Sequence, residues 1–262
     1  MKPLARHTIP VLKARELIAE LRIEDPSEIE IHLIAAHLGV MVQEKEMQGS
    51  DGRMMRIDGV AMISVRESIA FSGQKRFVIA HELGHVLLHP KVRQIDELSL
   101  AQASNWSLNQ EPEEIEANLF AAEILMPQSL FLPRIQGREP GFALFKELAA
   151  EFGTTLTAVA IQFIRYTKEE CVIVASRNGQ RKWFHTSGTF GFRLRDETEV
   201  HKYSCAFELE ASKESAVRGD DVPAGCWLHG YSTTDNMECV TEDAIWSKAF
   251  GALSLIWIKD DI

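Results

Sequence analysis

The chain has 262 residues, 45% hydrophobic and 25% charged, with a formal net charge of -10. That balance fits a globular protein of one large or two modest domains. Both halves are mildly acidic and there is no basic tail, which disfavours an extended nucleic-acid surface, because phosphate neutralisation needs clustered Lys and Arg.

No apolar run is long enough for a transmembrane helix. The N-terminal MKPLARHTIPVLKARELIAEL lacks the continuous apolar core of a secretory signal. Cys171, Cys205, Cys226 and Cys239 form no CxxC pair. Together these features predict a cytoplasmic protein with buried, reduced thiols and no membrane partner.

In chain order, residues 11–22 read as an amphipathic helix. A second helix is expected over 27–38, with Ser27 as N-cap and Gly39 as stop. VMVQEKEM, RMMRIDG and VAMISVRES read as short strands, with GSDG as a turn. Helix is expected again from Gln74 to His89, ended by Pro90, whose ring and missing N–H stop it. The polar stretch 91–110 reads as a loop able to cover a cleft. Helices follow over 111–126, stopped by Pro127, then near 141–152 and 154–167.

After Glu170 the character changes. CVIVAS, RKWFHTS, FRLR, YSCAFELEA, GCWLHGYS and ALSLIWIKD are rich in β-branched and aromatic residues and read as strands, with Asn178-Gly179 as a hairpin signal. The sequence thus predicts an α+β fold: a mainly helical domain with a small sheet over 1–169, then a β-rich domain over 170–262.

The stretch RFVIAHELGHVLLHP contains His-Glu-x-x-His: His81, Glu82 and His85. At about 100° per residue, these three and His89 share an arc of about 100° on one helix face. Two imidazoles one turn apart can hold a zinc ion, and the adjoining Glu82 can act as general base on an attacking water. The alternative is a helix that merely carries histidines.

A catalytic zinc needs a third ligand. In EPEEIEANLFAAEILMP, Glu116 and Glu123 form a polar strip, whereas Glu114 and Asn118 are embedded among apolar residues. A buried carboxylate needs a partner, and a metal ion is sufficient. Glu114 is therefore the expected third ligand, with Asn118, one turn on, placed to hydrogen-bond a ligand. Glu116 reads as a solvated side chain and Glu113 as favourable to the helix dipole. His89 reads as an outer partner of the site or a helix-end residue, and His32 and His37 as ordinary helix residues. Gly84 is placed to let another backbone approach.

RFVIAHELGHVLLH and EIEANLFAAEILMP, with the upstream IAAHLGVMV and the DG-containing hairpin, resemble the ImmA/IrrE family of zinc metallopeptidases over roughly residues 10–170. The resemblance implies a zincin-like metallopeptidase domain. It assigns His81, His85 and Glu114 as zinc ligands and Glu82 as the catalytic base. It further implies intracellular cleavage of a helix-turn-helix repressor that switches on a stress, mobile-element or defence response.

The donor for the developing oxyanion stays open among Tyr166, Tyr203, Tyr231, His185, His201 and His229. The loop 91–110 and the β-rich domain are places where a gate or sensor could reside, and aromatics such as Trp183, Phe184, Trp227, Trp246 and Trp257 could line a pocket or pack a core. The competing function is a zinc-containing transcriptional regulator or sensor that binds DNA or a partner without proteolysis. LAAEFGTTLTAVAIQFIRYTK, 148–168, has a helix-turn-helix flavour but few basic residues; a plain helical hairpin is the other reading.

Overall fold

The computed structural model describes residues 5–57, 59–89, 111–212, 214–233, 238–247 and 251–259. The expected helix stop at Pro90 and the expected loop 91–110 lie outside these residues. The described chain is a mixture of helices and two sheets, an α+β fold with a helical first part and a β-rich last part. No described helix is long and apolar enough to cross a membrane. The chain divides into two compact units, Met1–Arg134 with Glu147–Gln162, and Ile135–Lys146 with Phe163–Ile262. The change in composition near Glu170 falls inside the second unit.

In the first unit, α1 (Ala5–Glu20) starts six residues before the expected helix and runs through Pro10. The N-cap expected at Ser27 belongs instead to Asp25, whose carboxylate accepts from Ser27 N at 2.9 Å and caps a short 3-10 turn, Pro26–Glu28. The second helix, α2 (Ile31–His37), is correspondingly shorter, and Gly39 follows with φ +69. Three strands form a small sheet: β1 (Met41–Lys45), β2 (Gly52–Ile57) and β3 (Val60–Arg66), in the order β1-β3-β2. β1 runs parallel to β3 and β2 antiparallel to it, with Ile57 paired to Val60.

Two helices then pack together, α3 (Ser72–Leu88) and α4 (Pro112–Leu125). Pro112 occupies the first turn of α4, where a missing N–H costs nothing. α4 is also tied to two other elements through Glu123. The helical wheel puts Glu123 on a polar strip, yet it is fully buried. It accepts from Arg15 Nε at 2.8 Å and from Gln162 Nε2 at 3.3 Å. Gln162 also donates to Met126 O at 2.7 Å and so satisfies a carbonyl at the end of α4.

Pro127 is followed at once by α5 (Gln128–Ile135), a helix not expected from the sequence. Next come α6 (Phe142–Glu151) and α7 (Leu156–Tyr166), a helical hairpin whose turn contains Gly153 at φ +57. Every residue of α7 from Thr157 to Ile164 is buried, so that stretch has no face free to enter a DNA groove.

In the second unit, β4 (Glu170–Arg177) and β5 (Gln180–Thr186) form a hairpin across Asn178-Gly179, both left-handed at φ +55 and +68, as that dipeptide predicts. They join β6 (Ala216–Pro223), β7 (Cys239–Ser247) and β8 (Gly251–Ile258) in an antiparallel sheet, order β5-β4-β8-β7-β6.

Several expected strands differ. YSCAFELEA contains a helix, α8 (Cys205–Ser212). FRLR makes only a single bridge, Leu194 to Leu228, and GCWLHGYS holds a 3-10 turn, Ala224–Cys226. β6 and β7 come from segments without an expected strand. The reason for α8 is tertiary. Glu242 of β7 is fully buried and accepts from Cys205 N and Ala206 N at 2.9 Å each, which caps the helix start. Trp227 Nε1 at 2.7 Å and Ser254 Oγ at 2.9 Å complete its shell. Trp227 is thus part of a packed core with Val172, Leu209 and Ile256.

Candidate metal centre

The centre is built from α3 and α4. On α3, His81, Glu82 and His85 are all buried, at 0%, 1% and 1% exposure. Their helix lies against α4 because Gly84 has no side chain. A Cβ there would sit 3.0 Å from Ala117 Cα and 3.3 Å from Ala117 O. The backbone approach anticipated at Gly84 is therefore to Ala117, three residues after Glu114.

That approach brings Glu114 onto the two histidines. Its carboxylate oxygens lie 3.3 Å from His81 Nε2 and 3.3 Å from His85 Nε2. The two Nε2 atoms are 2.9 Å apart. A tetrahedral ion with bonds of about 2.0–2.1 Å spaces its ligands about 3.3 Å apart. The donor triangle therefore has the size, and the nitrogen and carboxylate chemistry, that zinc takes. His81, His85 and Glu114 are a group that can hold a metal ion, their ligand atoms all within 4.8 Å of one another.

The outer partners set the ring orientations. Asn118 Oδ1 lies 2.9 Å from His81 Nδ1. An amide oxygen only accepts, so Nδ1 carries a proton and Nε2 is left as the ligating nitrogen. On the other ring, His85 Nδ1 lies 3.2 Å from His89 Nδ1, and His89 Nε2 lies 2.9 Å from Glu116 Oε2. Glu116, expected to be solvated, is a half-buried partner of His89 instead. A helical wheel shows a residue's face but not what the neighbouring helix presents to it. The signal available was the shared helix pair: once α3 meets α4 at His85 and Glu114, the next positions along each helix, His89 and Glu116, come within reach.

Burial pushes the His81 imidazole down, which favours the neutral ring that binds metals. Burial raises the Glu114 carboxyl, but its contacts with the His81 and His85 rings outweigh it and hold the group below the usual carboxylate range. These two shifts favour a neutral His81 ring and an anionic Glu114 carboxylate, the forms that ligate a metal.

Glu82 packs under β2. A Cβ on Gly52 would lie 2.9 Å from Glu82 Oε1, and it would press on Val78 Cγ1 still more closely. The sequence marks Gly52 only as part of a turn. It is the first residue of β2, paired with Val65, and its missing side chain leaves room for this carboxylate. Arg56 of the same strand donates to Val86 O at 3.2 Å and ties β2 to the end of α3.

Residues 35–163 match the Peptidase_M78 family, described as the IrrE N-terminal-like domain. The chain carries a domain of the ImmA/IrrE family. His81, His85 and Glu114 all fall within that IrrE-like domain. No curated protein is significantly similar to the chain. Among solved structures, one described as a Mycobacterium tuberculosis transcriptional regulator aligns with a TM-score of 0.60 at 13% identity, covering 95% of this chain and 76% of its own. At that identity the likeness is one of fold.

The six residues left open as oxyanion donors, Tyr166, Tyr203, Tyr231, His185, His201 and His229, all belong to the second unit. His201 Nδ1 lies 3.3 Å from Cys226 Sγ, a thiol that burial pushes up to about 11.

Proposed function

We propose that the chain is a zinc-dependent endopeptidase whose protein substrate is a helix-turn-helix transcriptional repressor, removed to switch on a stress, mobile-element or defence response. One observation carries the catalytic part: a His81–His85–Glu114 donor triangle of zinc dimensions, with both histidines buried and Glu82 adjoining the first of them. The family match supports peptidase chemistry.

A zinc ion bound there supplies the positive charge that acidifies water and polarises a scissile carbonyl. Glu82 then takes a proton from the attacking water and delivers it to the leaving nitrogen. Asn118 keeps His81 in its ligating tautomer, and Gly84 keeps Glu114 in place. Burial of the histidines excludes competing solvent from the ligand nitrogens.

The choice of a repressor as substrate follows from the family resemblance. The test is incubation of the zinc-loaded protein with helix-turn-helix repressors from its own source, with new termini read by mass spectrometry. One defined cut by wild type supports the reading. An intact repressor alongside another protein cleaved at one site overturns the substrate assignment while keeping the chemistry.

A second reading is a regulator that acts without proteolysis. The shared fold with a protein described as a transcriptional regulator favours it. Burial of α7 weighs against DNA recognition through residues 148–168. The two readings separate on Glu82→Gln, which abolishes the response only if cleavage is the function.

A further inference from the structure

We propose that Glu116 is a positioning residue of the metal centre, acting through His89 to hold His85 in the tautomer that binds metal. The inference rests on the reading of His81, His85 and Glu114 as ligands.

His85 faces the centre with Nε2, so its proton must sit on Nδ1. That N–H needs an acceptor. The atom it meets is His89 Nδ1, 3.2 Å away. A neutral imidazole accepts at Nδ1 only when its own proton is on Nε2. Glu116 enforces that arrangement: its carboxylate can only accept, and its Oε2 lies 2.9 Å from His89 Nε2. With a neutral His89 the relay has one direction, His85 Nδ1–H to His89 Nδ1 and His89 Nε2–H to Glu116.

Without Glu116, His89 can move its proton to Nδ1. Two N–H groups would then face each other, or His85 would shift its own proton to Nε2 and lose its ligating lone pair. The relay is shielded enough to matter. The side chains of His85, His89 and Glu116 are 2%, 9% and 23% exposed. The two ligand histidines are thereby supported differently, His81 by the neutral amide of Asn118 and His85 by an imidazole backed by a carboxylate.

The test measures zinc affinity of the full chain by chelator competition, for wild type, Glu116→Ala, Glu116→Gln, His89→Ala and the double variant His89→Ala/Glu116→Ala. Histidine nitrogen NMR of the zinc-loaded proteins reads the tautomers directly. Glu116→Ala is expected to weaken zinc binding about 10- to 100-fold, with metal-free stability little changed. It should cause no further loss once His89 is absent, because the two act in series. Glu116→Gln, which keeps the shape, should show a mixed tautomer at His89.

Unchanged affinity in a folded Glu116→Ala overturns the proposal. So does a loss of the same size with and without His89, or a single His89 tautomer in every variant. A wild type that takes up no zinc is a separate result, which removes the metal reading and this proposal with it.

Discussion

Gly84→Ala is the sharpest probe of how the centre is assembled. The added methyl carbon would sit 3.0 Å from Ala117 Cα and 3.3 Å from both Ala117 Cβ and Ala117 O. Carbon atoms pack at about 3.5–4.0 Å, so α3 and α4 must part by roughly half an ångström at this crossing. Glu114 lies three residues before Ala117, within one turn of the crossing. Zinc sites tolerate displacements of about 0.2 Å, so the carboxylate moves further than the ion accepts.

On stability the effects oppose each other. Alanine gains about 1 kcal/mol of helix propensity over glycine, and overpacking costs about 1–3 kcal/mol. The net expectation is a loss of roughly 0–2 kcal/mol in the metal-free protein, with zinc affinity down at least about tenfold, since a ligand out of range costs more than about 1.4 kcal/mol. Chemical denaturation and chelator competition measure the two separately. Adding Ala117→Gly relieves the clash with the Ala117 side chain but leaves the one with its backbone, so it should rescue only in part. A Gly84→Ala protein that binds zinc like wild type and is more stable by the full propensity gain would refute the reasoning.

Three further outcomes are expected. Glu82→Gln should lower turnover by about 10²–10⁴-fold, the usual weight of a general base, with zinc content unchanged; lost zinc would show that Glu82 holds the site together instead. Gly52→Ala presses a methyl against Val78 Cγ1 and Glu82 Oε1; turnover should fall more than zinc affinity, and the reverse order would place Gly52 elsewhere in the account. In the second unit, Glu242→Gln exchanges one accepting oxygen for an amide donor facing the N–H and O–H groups of Cys205, Ala206, Trp227 and Ser254. That should cost about 1–3 kcal/mol in denaturation at low pH, and less as pH rises. Burial raises the Glu242 carboxyl despite those hydrogen bonds, so the folded state holds its proton more readily than the unfolded chain. Its contribution is complete below the unfolded carboxyl range and is lost as pH rises through the folded value. The variant should lack that slope, and an unchanged slope would assign it to other groups.

The centre was legible because its signals are local. His81 and His85 are one helical turn apart, and Glu114 stands out as a carboxylate among apolar residues. What the sequence could not show is which side chains meet across helices. Glu123 pairs with Arg15, 108 positions away, and Glu116 with His89 across the α3–α4 packing. A wheel places both on a polar strip because it registers polarity without neighbours.

The β-rich unit was less legible for a different reason. AVRGDDVP has none of the apolar alternation of a half-buried strand, yet it forms the edge strand β6, where one side needs no partner. YSCAFELEA has strand-forming residues but becomes α8, since the buried Glu242 meets its first N–H groups. In both cases long-range pairing overrides local preference. The Asn178-Gly179 hairpin, fixed by backbone chemistry alone, was readable at once.

The most direct test of the metal centre is anomalous diffraction at the zinc absorption edge, on crystals of the full chain purified with zinc. The expected result is one peak bonded to His81 Nε2, His85 Nε2 and a Glu114 oxygen at about 2.0–2.1 Å. Zinc bound by other residues, or no peak between α3 and α4 in protein that has been offered zinc, would contradict the account.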